Sequence, residues 1–312
     1  MNVLAPILRY VLPAVVTSYL LWSLLGPNSQ HSDALSLITL EAMLRLTPVM
    51  IAYAVISIGI DALSLSILSR HSGRPADLAT CARIKAASYA LGIINYALGA
   101  AALIVLFRRR IGLTLQGSTG IVGTSAVTDL AMLVLVTATA AAFSGADGPT
   151  LELWVVALIM IGTFGGFATL RAPFSLGPLE KLRELEMFQL LRTIPLGSLL
   201  KLATLRVGFV LVFVAMGGGA LWAFRIPIPL AETVVGMSVI SLVGAVPVAV
   251  AGLGTVQLAA VELFDGWATA SSLVACSLGM QAAMIFVRGA TALVFAREFT
   301  AEAVAASRGG EA

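Results

Sequence analysis

Residues 245–264 read AVPVAVAGLGTVQLAAVELF, a run apolar enough to enter a bilayer. Pro247 and Gly252-Leu253-Gly254 interrupt it, and it carries Gln257 and Glu262. In hydrocarbon every backbone group must find a partner within protein, so a break at this depth has to be buried or line a cavity. A helix that enters, reverses near mid-depth and leaves meets that condition; a straight span does not need the break. The charges along the rest of the chain decide between the two.

The chain has 312 residues, 59% hydrophobic and 11% charged. A soluble domain is nearer half apolar and a quarter charged. The excess falls in blocks of about 20 residues separated by short polar stretches, the pattern of a polytopic helical membrane domain. One transmembrane domain over 1–299 and a short tail over 300–312 are expected, with no length for a soluble catalytic domain. The net charge is +3, and the basic residues sit in a few loops. That distribution points to topology and to anionic lipid headgroups, not to nucleic acid. Cys81 and Cys276 are isolated and read as packing residues. Residues 4–25 lack a small-x-small cleavage site and read as a span.

Full spans are expected at 4–25, 47–68, 117–143, 151–170, 207–224 and 268–295. Two apolar segments, 86–107 and 233–264, are ambiguous. Arg70, Arg74, Arg83 and Lys85 precede the first, and Arg108, Arg109 and Arg110 follow it. Basic loops stay in the cytoplasm, so a single crossing would strand one cluster outside. The segment is interrupted around Asn95 and Gly99, and arms of about 10 residues rise only about 15 Å, half a hydrocarbon core. A re-entrant hairpin fits both charge and length.

Residues 144–150 carry no Lys or Arg, whereas 171–206 carry six. Counting onward leaves 225–232 outside and the Arg297 tail inside, with both termini cytoplasmic. The segment 233–264 must then leave from and return to the outside, so it too reads as a hairpin, broken at Pro247, Gly252 and Gly254. The expected fold is all-α, about six full spans plus two re-entrant hairpins in an inverted repeat, an architecture of transporters. ALGAAAL (97–103) faintly echoes GLGTVQL (252–258). Residues 178–192 read as an amphipathic helix on the inner leaflet. Residues 33–46 read as an outer counterpart, with Glu41 and Arg45 spaced as an ion pair.

Ionisable groups inside spans are costly and therefore functional candidates. Asp61, Asp129 and Arg288 lie deep; Glu262 sits near the outer end of the second hairpin and Gln257 near its tip. Two roles stay open for Arg288: an internal ion pair with Asp129 or Asp61 that staples the bundle, or contact with substrate. Asn95 and Gln257 serve either helix–helix hydrogen bonding or substrate. Gly165-Gly166 and Gly217-Gly218-Gly219 read as close-packing sites, and Arg108–Arg110 as a topology anchor that touches headgroups. His31 and His71 fall in loops on opposite sides, so no metal site is expected. No Walker loop or nucleophile grouping points to an enzyme or a cofactor.

Residues 247–257 resemble the hairpin motif of the lysylphosphatidylglycerol synthase transmembrane family, a flippase-like integral membrane domain. Pro247, Gly252, Leu253 and Gly254 match it, while Ala249, Ala251 and Gln257 stand where that family has Ser, Gly and Glu. Asn95 matches the family's first hairpin, with Gly99 in place of its Pro. Asp129 matches the Asp of a Glu-Arg-x-x-Asp span whose Glu and Arg are here Ser125 and Ala126, and Arg288 resembles the Arg of the last span. The resemblance implies a lipid-handling protein of the bacterial cytoplasmic membrane. The synthase activity of the family's best-understood branch is not expected from this sequence.

The leading expectation is a lipid translocator that acts on anionic phospholipid or another amphiphile. Asn95 and Gln257 would bond the headgroup, Arg288 would pair with its phosphate, and Asp129 would hold Arg288 in the empty state. The rivals are a non-transporting partner of a lipid- or glycan-modifying enzyme and a secondary transporter of a small solute. A homo-oligomer fits any of the three.

Overall fold

The computed structural model describes residues 17–19, 22–23, 33–94, 96–143, 153–172, 180–245 and 253–309. These residues are helical, with no strand among them. After a 3-10 turn at Ala34–Leu37 come α1 (Leu40–His71), α2 (Leu78–Gly92), α3 (Tyr96–Ile111), α4 (Leu115–Phe143) and α5 (Leu153–Arg171). Two short helices follow, α6 (Glu180–Arg183) and α7 (Glu186–Thr193). The second half holds α8 (Leu196–Ala223), α9 (Leu230–Ala245), α10 (Thr255–Leu263) and α11 (Ala270–Gly309). Of residues 4–25 only 17–19 and 22–23 are described, and they are helical. Pro247, Gly252, Asn95 and His31, and the loop 144–150, lie outside the described residues.

Four of these helices are long and apolar enough to cross a membrane: α1, residues 115–142 of α4, α8, and residues 270–295 of α11. Their ends follow ordinary helix chemistry. The Thr39 hydroxyl accepts the Ala42 N–H at 3.2 Å to cap α1, and Arg70 lies in its last turn, where the helix dipole favours a cation. Asp77 caps α2, and its bonds with Thr80 hold its carboxyl below the usual carboxylate range. The separate outer helix expected over 33–46 is instead the 3-10 turn plus the first turns of α1. The Glu41–Arg45 pair forms at 2.6 Å, and Arg225 joins Glu41 at 3.0 Å.

The helices pack as two sets of four. α1 packs on α2, α2 on α3, and α3 on α4; in the same way α8 packs on α9, α9 on α10, and α10 on α11. Between the sets, α4 packs on α9 as α11 packs on α2, and α4 on α8 as α11 on α1. Exchanging α1–α4 for α8–α11 therefore reproduces the contact pattern. The first helices of the two sets run in opposite directions. A Cβ on Gly219 would sit 2.7 Å from Val49 Cγ1, Gly208 faces Ile60, and Arg206 meets Asp61. As α1 numbers rise, α8 numbers fall, so these equivalent helices are antiparallel.

Two apolar cores occupy opposite ends of this pair. One joins Met50 and Tyr53 of α1 to Val214 and Leu221 of α8, Met237 of α9, Phe264 and Cys276. The other joins Leu68 of α1 to Cys81, Phe107, Ile121, Leu191 and Leu202. Both cysteines are free and buried. Asp61 and Arg206 fall between the cores.

Several expected details change. Gly99 is not at the hairpin break: it lies in the first turn of α3, and a Cβ there would come within 2.8 Å of Gly92 Cα. Between α2 and α3 the helix is interrupted at Ile93 and Ile94, and the small pair lets α2 and α3 touch backbone to backbone. Gly217 and Gly219 are close-packing sites, against Met237 and Val49, whereas a Cβ on Gly165 or Gly166 would meet nothing within 4 Å among the described residues. The amphipathic segment is two helices, and the apolar side of α7 is buried by protein: Leu190, Leu191 and Ile194 belong to the core around Phe107 and Ile121.

Candidate functional site

Between the two apolar cores lies a cavity of about 470 Å³, lined by both helix sets. From the first set come Asp61 of α1, Lys85, Ser88 and Tyr89 of α2, and Ser125, Asp129 and Leu130 of α4. From the second come Arg206 of α8, Ser241 of α9, and Gln281 and Arg288 of α11. Apolar walls from Leu103, Leu133, Phe213 and Met284 surround these polar groups. The α1–α8 contact places Asp61 and Arg206 side by side, and α2 and α4 flank them.

Arg206 holds the centre. Its Nη1 donates to Asp61 Oδ1 at 2.7 Å and lies 3.0 Å from Asp129 Oδ1. The other oxygen of Asp61 takes Lys85 Nζ at 3.0 Å. The side chains of Arg206 and Asp61 are 2% and 5% exposed, whereas that of Asp129 is 34% exposed, towards the cavity. An isolated charge at such depth is expensive, and opposite charges at this distance offset the desolvation. The pairing is uneven, because both carboxylates share one guanidinium nitrogen while Nε and Nη2 of Arg206 are buried without a partner. Arg206 therefore has hydrogen-bonding capacity that this arrangement does not use.

Arg288 stands differently. Its guanidinium carbon lies 5.2 Å from the Tyr89 ring centre, and Lys85 Nζ lies 5.7 Å from the same ring. Tyr53, Tyr89 and Arg288 also share a smaller cavity. Among the described residues no carboxylate pairs with Arg288. Of the two roles open for Arg288, the ion pair with Asp129 or Asp61 does not form among the described residues: Arg206 takes both acids. Among the described residues the cavity thus sets three cations (Lys85, Arg206, Arg288) against two carboxylates (Asp61, Asp129), an excess of one positive charge.

The other expected residues are dispersed. Gln257 is fully buried and does not line the cavity. Gly254 turns the chain with φ +91°, and its N–H donates to Gln257 Oε1 at 2.6 Å. Gln257 Nε2 donates to Gln281 Oε1 at 3.0 Å, so Gln257 ties the start of α10 to a cavity-lining side chain. Glu262 is exposed on α10, away from the cavity lining. Arg108 and Arg109 are exposed and Arg110 is half-buried at the end of α3, beside the cavity's first helix set but outside its lining.

Lys85, Tyr89, Arg206 and Gln281 are site residues that the sequence reading misses. It places Lys85 and Arg206 in cytoplasmic loops, but both lie inside helices: α2 begins at Leu78 and α8 at Leu196. The run LGSLLKLATL (196–205) is the available signal, because its apolar spacing carries α8 back ten residues before Arg206. No protein-family model matches the chain, and no curated protein matches it either.

Proposed function

We propose that the protein moves the headgroup of an anionic amphiphile, a phospholipid being the simplest case, across the membrane through this cavity. The observation that carries the reading is the excess positive charge: Arg288 faces a cavity at mid-helix with no carboxylate committed to it. A phosphate is the natural partner of a guanidinium held on an aromatic face. Leu130 supports a lipid over a small solute. It lies near the middle of α4, lines the cavity and is 42% exposed, an apolar wall suited to an acyl chain. Acyl tails can stay in the bilayer while the headgroup passes inside.

The helix pattern supports an inverted repeat with two re-entrant hairpins. α2, α3, α9 and α10 have 15, 16, 16 and 9 residues, short of the roughly 20 that a span needs. With 4–25, α1, α4, α5, α8 and α11 crossing fully, the end that carries Arg70, Arg74, Arg108–Arg110 and Lys201 is cytoplasmic, and both termini are inside. The membrane is then a bacterial cytoplasmic one, in keeping with the resemblance of the hairpin motif. No step calls for a cofactor or a bond-making residue.

The test is translocation in sealed proteoliposomes. Fluorescent acyl-labelled phosphatidylglycerol is expected to become accessible to an external quencher faster than in protein-free vesicles, and faster than the phosphatidylcholine analogue. Equal rates with and without protein for every headgroup would leave the non-transporting partner as the better reading.

A further inference from the structure

A second basic pocket lies away from the cavity, where α5 ends against α7. It encloses about 350 Å³ and is lined by Leu170, Arg171, Ala172, Gln189, Arg192 and Thr193. Two guanidiniums face one space, and among the described residues no carboxylate lines it. Among the described residues, neither arginine is ion-paired.

Both side chains are held in place by the backbone. Arg171 donates through Nε and Nη2 to the Arg192 carbonyl at 3.4 and 3.3 Å, and through Nη2 to the Ile194 carbonyl. Its guanidinium carbon lies 5.2 Å from the Phe167 ring centre. Arg192 Nη1 donates to the Arg183 carbonyl at 3.2 Å, while Arg183 itself is committed to Glu180 through Nε at 2.9 Å. Carbonyl bonds fix a guanidinium without neutralising it. Two like charges brought together and held in this way favour an anion between them, and planar guanidiniums match phosphate oxygens.

We infer that this pocket binds a phosphate group at the cytoplasmic surface of the membrane, with Arg171 and Arg192 as its ligands and Gln189 and Thr193 as neutral hydrogen-bonding neighbours. Arg171 closes an apolar helix, so the pocket sits at the level of lipid headgroups. The same chemistry serves a phospholipid headgroup or a free phosphate. Its cytoplasmic placement rests on the topology proposed above; phosphate binding does not rest on the translocation reading.

The test uses the full chain in an Arg288→Gln background, so that lipid held in the central cavity does not contribute. Retention of phosphatidylglycerol and of phosphatidylcholine is measured by native mass spectrometry in detergent. The thermal midpoint is measured with and without inorganic phosphate. Arg192→Gln is the main variant, because Arg171 also anchors the end of α7. Arg192→Gln is expected to lower phosphatidylglycerol retention about tenfold without changing the midpoint in the absence of ligand. Selective loss of phosphatidylglycerol with no response to phosphate identifies a headgroup site. A phosphate-induced rise in midpoint that Arg192→Gln abolishes identifies a free-phosphate site. If adding Arg192→Gln to that background changes neither phosphatidylglycerol retention nor the phosphate response, the inference is wrong.

Discussion

Arg206→Leu is expected to destabilise the folded protein by about 3 kcal/mol, the low end of the cost of removing one partner from a buried ion pair. The low end applies because Asp61 keeps Lys85 at 3.0 Å and Asp129 is a third exposed to the cavity. The penalty arises from carboxylates left with too little positive charge, not from lost apolar area. Adding Asp129→Asn to Arg206→Leu removes one of those charges and is expected to recover part of the loss, a coupling that a double-mutant cycle reads directly. Denaturant midpoints of the single and double variants in detergent check both statements. An Arg206→Leu protein as stable as wild type would mean that the centre of the site is not an ion-paired staple between the two helix sets.

Arg288→Gln is expected to act in the opposite manner. It leaves no carboxylate unpaired and forfeits the stacking on Tyr89, worth about 1 kcal/mol, so the folded yield should hold. Headgroup movement should fall tenfold or more, since a charge-assisted contact to phosphate contributes about 1.5–3 kcal/mol. Flipping rates of labelled phosphatidylglycerol, measured on variants with matched thermal midpoints, separate the two arginines: Arg206 is expected to act through stability and Arg288 through transport.

The contrast between these arginines also marks how far the sequence is legible. The break at Gly254 can be read from AVAGLG, because a glycine pair inside an apolar run leaves few other conformations, and the structure turns there. Basic loops alone imply opposed halves; the antiparallel α1–α8 contact meets what that expectation requires of these two helices. The depth of Asp61, Asp129 and Arg288 follows from their place in apolar runs. What the chain hides is the set of partners. Lys85 and Arg206 look like loop charges because hydropathy stops where the first cation appears, whereas the helices continue past it. Arg206 is tolerated inside α8 only because Asp61 and Asp129 approach it from helices distant in sequence, and no local pattern encodes that meeting. Gln257 shows the converse: its position beside the break invites a substrate role, yet its carbonyl caps Gly254 and its amide holds Gln281.

A phosphate-bearing headgroup is proposed to occupy the cavity between the two helix sets. This occupancy is tested most directly by photo-cross-linking a headgroup-derivatised phosphatidylglycerol to the full chain in nanodiscs and mapping the labelled residues. Labelling is expected on the cavity side of α4 around Ser125–Leu130 and of α11 around Gln281–Arg288, with a marked loss in Arg288→Gln. Labelling confined to exposed outer residues such as Leu293 and Val294, and unchanged by Arg288→Gln, would contradict it.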